Sequence, residues 1–160
     1  MTQDKFISCV KRNNQRLFLI ALSFTQNHSD AEDILQNVFL KLWKYNKPFQ
    51  DDCHMDKWLT AVCVNESKNY IKSPFKTRVV SLDESKQTYT LKTDSNYDLF
   101  NAVKALPKKE RIVVHLFYYE DMPVKDISEL LKIKESAVKT RLHRARKKLK
   151  EILGDEWING

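Results

Sequence analysis

Apolar residues recur at three- and four-residue spacing along most of this chain, which predicts helices rather than strands. Phe6, Ile7 and Val10, then Leu17, Phe18, Ile20, Ala21 and Phe24, predict one helix or two between about Lys5 and Thr25. Ile34, Leu35, Val38, Phe39, Leu42 and Trp43 form a broad apolar face on the next helix, with Phe39 and Trp43 expected in its core. Asp33, Gln36, Asn37, Lys41 and Lys44 take the opposite side. Ser29-Asp30-Ala31-Glu32 has the form of a capping box at the start of that helix, the serine oxygen accepting from the amide three residues on while the glutamate reaches back. Pro48 and Gln50-Asp51-Asp52 interrupt the pattern. A further helix, from about Asp56 to Lys72, is expected to bury Trp58, Leu59, Val62 and Ile71.

From Ser73-Pro74 to about Asn96 the periodicity fades into Ser, Thr, Lys and Asp, with Val79, Val80 and Leu82 as a short apolar island. That composition predicts a linker, longer than an ordinary loop. Helix resumes near Tyr97 with Leu99, Phe100, Val103 and Leu106, and Pro107 starts another on Ile112, Val113, Leu116 and Phe117. Val124, Ile127, Leu130 and Leu131 then give a short apolar stripe, and Lys132-Ile133-Lys134 is expected to turn. The last helix buries Val138, Leu142, Ala145 and Leu149, while Lys139, Arg141, Arg144, Arg146, Lys147, Lys148 and Lys150 make it strongly basic with no acid among them. A short helix, a tight turn and a longer basic helix are the sequence form of a helix-turn-helix, whose second helix enters the major groove. The expected fold class is all-α, with two small helical domains over 1–73 and 97–155 joined by a flexible linker over 74–96.

Charge strengthens the nucleic-acid reading. The 160 residues carry a formal net charge of +7, which suits a polyanionic partner. Other chemistries find little support. Cys9, Cys53 and Cys63 are scattered without CxxC spacing, so neither a disulfide framework nor a metal site is expected. Glycine occurs only at 154 and 160, which excludes Gly-rich phosphate loops. His28, His54, His115 and His143 have no metalloprotease spacing, and no serine stands in a nucleophile elbow, so neither an enzyme nor a cofactor is expected. The longest apolar run, Leu17 to Leu22, is too short to span a bilayer, and the first residues lack the layout of a signal peptide. A cytoplasmic protein without membrane insertion is the expectation.

Two blocks carry a specific resemblance. Asp30-Ala31-Glu32-Asp33-Ile34-Leu35-Gln36-Asn37-Val38-Phe39-Leu40-Lys41-Leu42-Trp43 resembles the polymerase-docking helix of bacterial sigma factors. Trp58-Leu59, Asn65 and Asn69-Tyr70-Ile71-Lys72 resemble the promoter-melting helix that follows it. Leu106-Pro107 to Arg146 is similar to the fourth sigma domain, with Tyr118-Tyr119-Glu120, Ile127 and Val138 to Arg146 in order. Two such blocks flanking a short linker are the plan of the extracytoplasmic-function (ECF) type of the sigma-70 family.

The resemblance implies a sigma-2-like bundle and a sigma-4-like helix-turn-helix. It implies core RNA polymerase and promoter DNA as partners, and an anti-sigma factor as a further one. Asp33, Gln36, Asn37 and Lys41 become polymerase-docking candidates. Asn65, Lys68, Asn69 and Lys72 become minus-10 candidates, since amides can bond exposed base edges and lysines can hold phosphates. The family most often has Asp and Arg where this chain has Asn69 and Lys72. The loop over about 47–55 resembles the one that captures a flipped minus-10 base. In the last helix Lys139, Thr140, His143 and Arg144 are implied readers of the minus-35 element, and Arg141, Arg146 and Lys147 phosphate contacts. No Ser, Thr, Asp or Asn precedes Glu135, so this helix is expected to lack a strong N-cap. Two other readings use the same helices: a free-standing helix-turn-helix transcription regulator, and an adaptor that makes only protein contacts.

Overall fold

The computed structural model describes residues 1–72 and 94–154. The Val79–Leu82 island and the linker expected over 74–96 fall, up to residue 93, outside them. All described elements are helical, and the chain divides into two compact units at residues 84 and 85.

The first unit packs three helices against one another. Helix α1 (Gln3–Thr25) is one continuous element: Thr2 Oγ1 accepts from the Lys5 amide at its start, and Gln26 ends it in the left-handed region at φ 50°, donating to the Leu22 carbonyl at 2.8 Å. Helix α2 (His28–Lys44) does not open on the capping box at Ser29. Its N-cap is Asn27, extended at φ −136°, whose Oδ1 accepts from the Asp30 amide at 2.9 Å. So short a corner leaves Asn27 as the residue that is still extended, and Ser29 is already helical. Helix α3 (Asp52–Lys72) begins a turn before Asp56. Asp51 Oδ1 accepts from the His54 amide at 2.7 Å, and His54 Nδ1 accepts from the Gln50 amide at 3.1 Å. This reciprocal pair does the work of a capping box with histidine in the returning position.

Leu17, Ile20, Ala21, Ile34, Val38, Leu42, Leu59, Cys63 and Val64 fill the core of this unit. A polar layer ties α1 to α3. Asp56 Oδ1 accepts from Arg12 Nη2 at 2.8 Å and from Asn13 Nδ2 at 3.0 Å, and Arg16 Nη1 donates to Thr60 Oγ1 at 2.7 Å. Burial pushes the Asp56 carboxyl up, but the bonds from Arg12 and Asn13 outweigh it and hold the group below its ordinary range. Five residues expected in the core fall short of it. Trp43 is 50% exposed and Phe39 only half-buried, both lying edge-on to Phe6. Trp58, Val62 and Ile71 are half-buried, because the inner face of α3 runs through Met55, Leu59, Cys63 and Ser67.

The second unit holds α4 (Asp94–Lys104), α5 (Lys108–Val114), a π-helical turn (His115–Tyr119), α6 (Val124–Leu131) and α7 (Glu135–Leu153). Helix α4 begins a little before the expected Tyr97. Arg111 Nη1 donates to the Leu106 carbonyl at 2.9 Å, closing the corner around Pro107. Val103, Leu106, Val113, Leu116, Ile127, Val138, Leu142 and Ala145 form the core. Helix α6 ends at Lys132 in the left-handed region, φ 59° and ψ 46°, and the Ile133 amide donates back to the Ser128 carbonyl. Lys134 enters α7 in extended conformation with no side-chain cap bond, as its side chain, a donor without an acceptor, requires.

Candidate functional site

Helix α7 turns Val138, Leu142, Ala145 and Leu149 inward, so the residues between them must point outward. Lys139, Thr140, His143, Arg144, Arg146 and Lys147 are exposed and Arg141 is half-exposed. The side chains of Lys139, Arg141, His143 and Lys147 make no hydrogen bond or ion pair to a described residue. Thr140 Oγ1 donates back to the Ser136 carbonyl at 2.9 Å. Lys148, equally basic by sequence, is spent inside the unit: its Nζ lies 3.0 Å from Glu110 Oε1. Burial raises the Glu110 carboxyl, but the Lys148 bond and the nearby Arg144 charge bring it below its ordinary value. Arg146 Nε donates to Tyr118 Oη at 2.7 Å, and its guanidinium lies 5.9 Å and 5.7 Å from the ring centroids of Phe117 and Tyr118. Sequence reasoning missed this partner of Arg146, because no periodicity links positions 28 residues apart.

On α3, Asn65, Asn69 and Lys72 are exposed and Lys68 half-buried. Their spacing places them on one face, opposite Cys63 and Ser67. Before α3 the chain is held by an aromatic cluster. Tyr45 stacks on Phe49 at 5.0 Å and meets Trp58 at 4.7 Å, and Phe49 stands edge-on to His54 at 5.4 Å. The acidic pair Asp51-Asp52 has local work to do. Asp51 caps α3, and Asp52 lies 3.7 Å from Arg12 Nη1.

Asp33, Gln36, Asn37 and Lys41 are all exposed on α2. Two of them meet α3. Tyr70 Oη donates to Asp30 Oδ1 at 2.7 Å and lies 3.4 Å from Asp33 Oδ2, and Lys41 pairs with Glu66. Burial first, and then the two carboxylates, push the Tyr70 hydroxyl above its ordinary range. Gln36 sits instead on the rim of an open groove of about 640 Å³ between α1 and α2, lined by Phe6, Val10, Leu35, Phe39, Leu40 and Trp43. The exposed Leu40 was the available signal for it, as an apolar residue outside the helical stripe.

The two compact units correspond to two halves of one family. A model described as "Sigma-70 region 2" matches residues 9–74, and one described as "Sigma-70, region 4" matches residues 98–149. The chain belongs to the sigma-70 family. It is a sigma factor of the ECF type, and similar curated proteins run nearly its full length. RNA polymerase sigma factor SigV of Bacillus subtilis is 25% identical over 161 residues, covering 99% of this chain and 96% of the relative. ECF RNA polymerase sigma factor SigW of the same organism is 27% identical over 170 residues, covering 96% and 91%. Among solved structures, the sigma factor RpoE in complex with the anti-sigma factor NepR from Bartonella quintana has a TM-score of 0.65 at 19% identity, covering 93% of this sigma factor and 96% of that chain. CnrH in complex with the cytosolic domain of CnrY gives 0.57 at 22% identity, covering 95% and 89%. At such identities the likeness shows the fold. Among the described residues of this sigma factor, no helix is long and apolar enough to cross a membrane, and no cluster of side chains could hold a metal ion.

Proposed function

We propose that this sigma factor binds core RNA polymerase and directs it to specific promoters, reading minus-35 duplex with α7 and opening the minus-10 element with α3. The observation that carries the reading is the match of the two halves of a sigma factor, in chain order, to the two compact units. A free-standing regulator needs only the second. Residues 1–73 serve docking and melting, 97–155 serve minus-35 recognition, and 74–96 join them.

Asp33, Gln36, Asn37 and Lys41 dock polymerase, with the apolar groove beside Gln36 adding area to the contact. Asn65, Lys68, Asn69 and Lys72 bind the opened minus-10 strand through amide hydrogen bonds and lysine–phosphate contacts. Lys139, Thr140, His143 and Arg144 read the minus-35 duplex, while Arg141, Arg146 and Lys147 hold phosphates. Melting then draws on binding energy, with no catalytic group of its own, and the protein works in the cytoplasm. An anti-sigma factor is its expected inhibitor, since both solved relatives were captured with one or with a partner's cytosolic domain.

The test is transcription in vitro from a pool of promoter-sized fragments, using bacterial core polymerase with and without this protein. Specific transcripts that depend on the protein are expected, and their start sites identify the promoter. No transcripts, together with fragment-specific gel shifts by the protein alone, would transfer the assignment to a regulator.

A further inference from the structure

The Tyr118–Arg146 pair stands at the edge of the recognition helix, where the established core has no use for it. Both residues are exposed, so their contact does not fill the interior of the unit. Arg146 projects on the same side of α7 as Lys139 and Lys150, at seven- and four-residue spacing, beside the outward face of Thr140, His143, Arg144 and Lys147. When a recognition helix lies in a major groove, the sugar–phosphate backbone passes along such flanks.

The hydrogen-bond inventory fixes what the pair can still bind. Arg146 uses Nε on Tyr118 Oη. The phenol oxygen is the acceptor there, so its own O–H proton remains a donor. The N–H groups on Nη1 and Nη2 make no hydrogen bond to a described residue. The rings of Phe117 and Tyr118 hold the guanidinium by cation–π attraction, so the fork is oriented before any ligand arrives. A tyrosine hydroxyl donor beside a planar, always-charged fork matches the several acceptor oxygens of a phosphodiester.

We propose that Tyr118 and Arg146 together form a binding site for one DNA backbone phosphate at the flank of the recognition helix, contributed partly by the π-helical turn outside the helix-turn-helix. The site rests on the reading of α7 as the minus-35 helix. It carries no base specificity: the tyrosine hydroxyl and the guanidinium Nη groups donate to phosphate oxygens alone. Tyr118 adds one contact and also sets the angle of the fork, and preorganisation of this kind raises affinity by reducing what must be ordered on binding.

The experiment uses holoenzyme assembled from core polymerase and the full chain, with promoter affinity measured across a salt series. Tyr118→Phe keeps both rings and removes only the hydroxyl. It is expected to weaken binding roughly three- to tenfold, equally on promoters with intact and altered minus-35 elements, as a backbone contact does. Arg146→Ala should lower the log–log salt slope by about 0.9, the share of one phosphate on duplex DNA. In an Arg146→Lys background, which keeps the charge but loses the Nε bond, Tyr118→Phe should cost markedly less than it does alone. The proposal is overturned if Tyr118→Phe binds like the parent, if its loss varies with the minus-35 sequence, or if its effect is undiminished beside Arg146→Lys. A drop in thermal midpoint that accounts for the whole loss would also overturn it. Selective promoter binding by the parent that ignores Tyr118→Phe removes this inference alone. Absence of any promoter selection by the parent removes the sigma reading and the phosphate site with it.

Discussion

His115 is the buried titratable side chain with the largest consequence for pH. It is 8% exposed and stacks on Tyr119 at 5.1 Å with the planes 20° apart. Burial lowers its pKa from 6.5 to about 4. The unfolded chain therefore takes up a proton near pH 6.5 that the folded unit refuses until about pH 4. Stability from this group is fully present above 6.5 and is lost as pH falls through that window, by on the order of 1 kcal/mol per pH unit. Urea unfolding monitored between pH 7 and 4.5 should show this decline, and His115→Asn should flatten it. A parent midpoint constant over that range would refute the prediction. Asp56 and Glu110, held below their ordinary values, act in the same sense but only at more acid pH, where their unfolded forms begin to protonate. At this scale the sequence was a good guide to most charged residues of α7, which point outward, with Lys148 the exception in its pair with buried Glu110. It was a poor guide to large apolar ones. Trp43 looked like core because it shares a stripe with Leu42, yet α1 covers only part of that width.

Helix existence follows from periodicity, whereas helix ends follow from single hydrogen bonds. That difference explains why the helical stretches and the turn at Lys132-Ile133-Lys134 were legible while the starts of α2 and α3 were not. Either Ser29 or Asn27 can cap, and the choice between them depends on how much chain is needed to leave α1. His54 as a capping partner has no common sequence pattern. The near absence of glycine has its own effect on the elements: Gln26, Asp121 and Lys132 take positive φ with a Cβ in place. An L-residue in that region costs about 1 kcal/mol. Lys132→Gly should accordingly stabilise the second unit by on the order of 1 kcal/mol, read as a higher urea midpoint at unchanged slope. No gain would mean that the Lys132 side chain already compensates for its backbone.

Across the whole molecule, the first unit joins its two proposed tasks through one seam. The carboxylates and the lysine on the exposed side of α2 touch Tyr70 and Glu66 on α3, whose neighbouring face carries Asn65, Asn69 and Lys72. Whatever seizes α2 thus bears directly on the mounting of α3, the helix proposed to bind the minus-10 strand. Replacing Asp33 and Gln36 together by alanine should abolish binding to core polymerase in a pull-down while far-UV circular dichroism stays helical. Retained binding would move the docking surface into the apolar groove around Leu40 and Trp43. The proposed surfaces could be put forward from sequence because each is a periodic, exposed face. Their internal pairings could not, since Tyr70 with Asp30 and Arg146 with Tyr118 join residues that only folding brings together.

The π-helical turn at His115–Tyr119 carries one residue more than an α-turn of the same rise would hold. The Glu120 amide accordingly reaches back five positions to His115, and the Met122 amide reaches Leu116. Within the turn the side chains are set progressively away from where an unbroken α-helix would place them. The outward aim of Tyr118 thus depends on how many residues the turn contains as much as on which they are. Loss of a single codon there would leave the composition almost untouched and still swing the phenol away from Arg146. For this segment, insertions and deletions are the changes with leverage, and comparisons that score only substitutions overlook them.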